Sequence, residues 1–175
     1  MDWDEDEKVL QVAAIRLSLP EDDYVEFQAR IEGVDLTSAS SLQFSVGSFA
    51  MTGATLKVRS KRMFQDYLLL PLGSAVLQGA ENPAEEVNEW KKLANSSIDQ
   101  APDQIVPLAS KSALKALVRE MPEPSGILTI DQKASPGIGP ARFLPFAIGG
   151  AKFEGLDDLW QVLDGVILAI TYDKI

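Results

Sequence analysis

Apolar and polar side chains alternate along much of the first sixty residues. Val25, Phe27, Ala29 and Ile31 are interleaved with Glu26, Gln28, Arg30 and Glu32, the pattern of a strand with one buried and one wet face. Ala54, Leu56 and Val58 alternate in the same way with Thr55, Lys57 and Arg59, and Leu42, Phe44 and Val46 with Gln43 and Ser45, so each run predicts a strand. Val9 to Leu19 is rich in Val, Ile and Leu, and its alternation slips at Ala13-Ala14, which predicts a bulge. Pro20-Glu21-Asp22-Asp23 has the chemistry of a turn. Short turns between such runs imply antiparallel pairing.

The period changes in the second half. Phe64 to Leu72 is apolar, and Pro71 argues against a helix through it, so a strand is expected over Tyr67 to Leu70. Asn82-Pro83-Ala84-Glu85 combines a cap residue, a first-turn proline and an early acid, and Val87, Trp90 and Ala94 follow on one helical face. Residues 96–107, with Pro102 and Pro107, read as a loop, and the stretch 99–107 within it as the only seam in the chain. Ser110 is expected to open a second helix with Leu114, Leu117, Val118 and Met121 on one stripe, ended by Pro122 and Pro124. Gly126 to Asp131 predicts a short strand, Ser135-Pro136-Gly137-Ile138-Gly139-Pro140 a tight loop, and Phe143 to Ile148 a strand weakened by Pro145. Leu156, Leu159, Trp160 and Leu163 mark a third helix stopped by Gly165, before a final strand over Val166 to Tyr172. The expected fold class is α+β: an N-terminal antiparallel sheet of four to five strands, about three helices and further strands in the C-terminal half.

Charge modifies this picture. The net charge is −10, and residues 1–25 hold eight acids against Lys8 and Arg16. Residues 1–8 are therefore expected to form an acidic arm on a single globular domain spanning 9–175. Trp3 would anchor that arm, on its own domain or on a neighbour. Against the acidic background, Lys57-Val58-Arg59-Ser60-Lys61-Arg62 has four basic residues in six. On a strand, Lys57, Arg59 and Lys61 share a face and could meet an anionic surface or an acidic protein segment. The arm at residues 1–7, with Asp4, Glu5 and Asp6, would be one such segment, within one molecule or from a neighbouring copy, and only the second produces assembly. Ile138, at the tip of the Pro-Gly loop, is a further contact candidate.

Composition also narrows the chemistry. The chain has no histidine and no cysteine, which removes the Ser-His-Asp and Cys-His schemes and the usual zinc ligands. Ser112 and Lys115 have the S-x-x-K spacing without its companion motifs, and Asp157-Asp158 is explained by the first turn of a helix. No catalytic, cofactor-binding or metal-binding residue is nominated, and no cofactor is expected. The expected function is a non-enzymatic interaction or self-assembly protein acting through charged surface segments, as a small viral or phage matrix-type component would. Its partner would be another protein or a second copy of itself. The alternatives are an acidic inhibitor, immunity-type protein or nucleic-acid mimic that covers a basic partner, and a carboxylate-dependent hydrolase. No apolar run approaches the roughly 20 residues of a membrane helix. The acidic start is unlike a signal peptide, so an intracellular location, cytoplasmic or within an assembled particle, is expected.

Overall fold

The alternating runs pair in the order in which they occur. In the computed structural model, which describes residues 1–68, 73, 82–144, 148 and 155–175, they form one six-stranded antiparallel sheet ordered β1 to β6. The strands are β1 (Asp2–Asp4), β2 (Val9–Ser18), β3 (Tyr24–Glu32), β4 (Ala50–Ser60), β5 (Gly126–Ile138) and β6 (Val166–Lys174). Among the described residues the α-helices are α1 (Ala39–Ser45), α2 (Pro83–Gln100), α3 (Leu108–Glu120) and α4 (Leu156–Val162). The α+β class and the C-terminal strand agree with the sequence pattern. None of these helices is long and apolar enough to cross a membrane.

The register sorts side chains by face. Across the sheet, Ile15, Phe27, Leu56, Ile130 and Ile170 form one row, and Val12, Ala29, Ala54, Gln132 and Leu168 the next row on the same face. This is the apolar face, and on its β6 side α3 packs against β6, with α2 against α3 and Trp160 of α4 in the same cluster. Ala101, Ile105 and Val106 form a buried cluster there with Leu114, Trp160, Leu163 and Leu168. The segment expected to be a loop thus supplies the centre of the core: α2 runs on to Gln100, and Ile105 is among the most buried residues.

Several expectations change. Leu42 to Val46 is helical, because Ser38 caps the segment by accepting the Ser41 N–H at 3.0 Å. The period-two alternation was misleading there, and Phe44 is left 86% exposed. Residues 1–8 enter the sheet: Trp3 sits opposite Leu10, and Asp4 accepts the Glu7 N–H at 2.9 Å in the connecting turn. The Pro-Gly segment is the end of β5, with Ile138 opposite Met51. Its glycines mark close backbone approach, since a Cβ on Gly139 would lie 2.2 Å from the Phe49 carbonyl oxygen. Arg142 fastens this end by donating to the carbonyls of Gly137 at 3.0 Å, Val162 at 2.6 Å, Asp164 and Pro136. Phe64–Leu68 is a π-helical turn where a strand was expected from Tyr67, and residues 69 and 70 lie outside the described residues. Pro140–Phe143 is a 3-10 turn, and 145–147 of the expected Phe143 to Ile148 strand also lie outside them.

Candidate functional site

The second face of the sheet is polar and open. One row runs Arg16, Glu26, Lys57, Thr129, Thr171, and further rows place Gln28, Thr55 and Asp131 together and Gln11, Arg30, Gly53 and Lys133 together. The last two rows, from Gln11 and Gln28 to Asp131 and Lys133, line a shallow concavity of about 630 Å³ reaching from β2 to β6, and the row through Lys57 is not part of its lining. Gly53 at its centre removes a side chain from the floor. Thr55 Oγ1 donates to Asp131 Oδ1 at 2.6 Å, which fixes the single carboxylate among the lining residues.

Its cations differ in how they are used. Arg30 is held by Glu32 at 3.1 Å and Glu7 at 3.7 Å, and Arg16 by Glu26 at 3.5 Å. Lys57, Arg59 and Lys133 have no carboxylate partner among the described residues. Arg59 Nε is in addition buried without a hydrogen-bond partner. Arg59, with its orphaned donor, stands two positions from the Lys57 ammonium on β4, whereas Lys133, opposite Gly53, lies about 13 Å or more along the sheet; the Lys57–Arg59 end is the part of the face best suited to receive an anion.

The basic run 57–62 is divided by the fold. Lys57 and Arg59 stand on the open face, whereas Lys61 and Arg62 belong to the turn after β4. There the carboxylate of Asp23, only 2% exposed, accepts the backbone N–H groups of Lys61 (2.6 Å), Arg62 (3.0 Å) and Met63 (2.6 Å). Arg62 also pairs with Asp66 at 3.3 Å. The sequence marked Asp23 only as a turn residue; its three-donor role depends on a segment some forty positions away. Lys133 was likewise missed, because only the register, Gly53 opposite Lys133, brings it to the site.

Trp3 is anchored on its own domain: its Nε1 donates to the Val34 carbonyl at 2.9 Å, and the Lys8 ammonium stands 5.6 Å from the ring centroid. Asp4, Glu5 and Asp6 are exposed at the β1–β2 turn. That turn lies near the Arg30 row, while Lys57 and Arg59 lie four and six residues beyond Gly53, about 13–20 Å up the strand. The acidic hairpin is therefore not on the basic patch of its own molecule. Nor are the two ends of the sheet opposite poles, because exposed Glu21 and Asp22 stand at the same end as Arg59 and Lys61. Ile138 is half-buried against β4 and does not join Lys57 and Arg59. Among the described residues no group of three or more acids converges as a metal site.

No protein-family model matches the chain, and no curated protein or solved structure matches it either.

Proposed function

We propose that this chain is a non-catalytic interaction protein whose contact surface is the open polar face of the sheet, and that its partner presents an anionic protein segment to Lys57, Arg59 and Lys133. The observation that carries the reading is that three cations spread along one face of the sheet, Lys57 and Arg59 close together and Lys133 about 13 Å or more away, have no carboxylate partner among the described residues, in a chain of net charge −10. An extended acidic segment suits a shallow concavity lined by Gln11, Gln28 and Lys133, which offer donors along its length.

The alternatives find less support. A hydrolase of the paired-carboxylate type needs two acids across a cleft, and the concavity holds Asp131 alone, already bonded to Thr55. A nucleic-acid mimic needs a contiguous acidic surface, and nine carboxylates are instead dispersed in ion pairs. A fluorescent Glu-rich peptide titrated at low and high salt tests the proposal. The wild type should bind it with an affinity that falls with salt, and the double variant Lys57→Glu, Lys133→Glu should weaken binding about tenfold or more. Unchanged binding by that variant would reject this surface.

A further inference from the structure

We propose that the uncovered edge of β2 pairs with the same edge of a second copy, extending the sheet across a two-fold axis beside Leu17. β1 covers only Val9, Leu10 and Gln11 of β2. Beyond the bulge between Val12 and Ile15, the strand keeps regular register with β3 through Ser18, yet every residue from Ala13 to Ser18 is exposed. Ile15 and Leu17 are 59% and 61% exposed, and they stand on the apolar face beside Phe27 and Val25.

An edge of this kind is a template for another strand unless it is shortened, covered or guarded by charge. The one charged side chain here does not guard it. Arg16 is drawn back over β3, where it pairs with Glu26 and its guanidinium lies 3.8 Å from the Tyr24 ring centroid. Its charge is thereby balanced within its own copy, so two copies of this edge meet without like-charge repulsion. The segment is also self-complementary. An antiparallel two-fold beside Leu17 sets Leu17 against its equivalent and Ile15 against Leu19 of the second copy, all on the apolar face. It sets Arg16 against Ser18 and not against a second Arg16. A two-fold at Ile15 would drive Leu19 onto Gln11, which β1 already occupies.

The test uses sedimentation velocity together with cysteine cross-linking, which is clean in a chain without cysteine. Wild type should sediment as a dimer that Leu17→Lys converts to a folded monomer with an unchanged circular-dichroism spectrum and a melting temperature that no longer depends on protein concentration. Leu17→Cys should form a disulfide-linked dimer roughly tenfold or more faster than Leu93→Cys, an exposed control on α2, because pairing raises the effective thiol concentration. A wild type that stays monomeric into the sub-millimolar range, or equal cross-linking of the two cysteine variants, overturns the proposal. Lys57→Glu, Lys133→Glu should remain dimeric, which separates this outcome from failure of the peptide-binding surface.

Discussion

The two edges of the sheet are finished in opposite ways. At β6 the outward N–H of Leu168 is taken by the Ile105 carbonyl at 2.7 Å and that of Ile170 by Ser110 Oγ at 2.9 Å. Further along, Glu120 accepts the Tyr172 hydroxyl at 2.6 Å and pairs with Lys174 at 2.8 Å. Among the described residues, the edge of β2 has no such fittings past Gln11. The sealed edge is made by one helix laid alongside it. Ser110 and Glu120 are ten residues apart on α3, about 15 Å of helix, and their partners Ile170 and Lys174 are four residues apart on β6, about 13 Å of strand. Two polar residues at matching spacings thus close a strand edge, and among the described residues no second helix does the same for β2. An edge left bare in this company marks where a partner strand would add.

β3 and β4 connect the two edges. Asp23 holds them at one end, and its removal should have the largest effect. Asp23→Ala leaves three backbone donors without their charged acceptor, one of them on buried Met63, and should cost about 3–5 kcal/mol by chemical denaturation. A cost under about 1 kcal/mol would mean that the β4 turn is held by packing. The next effect belongs to the sealed edge itself. Ser110→Ala strips the partner from the buried N–H of Ile170 and should cost about 1–3 kcal/mol, with faster hydrogen exchange at that amide. If exchange at Ile170 is unchanged, the edge is closed by apolar contact and the contrast with β2 weakens.

The alternation of β3 and β4 was legible because each has one apolar and one wet side, and the same was true of the β6 run and the Asn82 cap. Other elements were hidden for physical reasons. Leu42, Phe44 and Val46 alternate as in a strand, but Ser38 satisfies the first helical N–H and the short segment follows its cap. Gly137 and Gly139 read as turn residues, whereas they permit two strands to close on each other. Ser110 was expected to cap a helix; α3 begins at Leu108, and the hydroxyl serves the sheet instead. The open face was half legible: Lys57 and Arg59 announce themselves in sequence, but Asp131 and Lys133 arrive only through strand pairing with residues about eighty positions earlier.

The smallest effect concerns the far end of the sealed edge and depends on pH. The ion pair with Lys174, aided by the Tyr172 hydroxyl, holds the Glu120 carboxyl below its ordinary value of 4.5. A carboxylate depressed in the folded state adds stability that is complete above the unfolded value and is lost as pH falls through the folded one. The clasp should therefore loosen only below about pH 4.5. Tyr172 moves the other way: burial, then its bond to Glu120, pushes the phenol above its usual 10. Its contribution is present below pH 10 and declines as the unfolded phenol ionises at higher pH. Glu120→Gln should remove part of the acid-side loss in a thermal-melt pH series while keeping most of the alkaline loss, because burial is the larger cause there. Tyr172→Phe should abolish the alkaline component and leave the acid side largely intact. Should both variants track the wild type at both extremes, the end of β6 is closed without this clasp, and only Ser110 and Ile105 would distinguish the sealed edge from the open one.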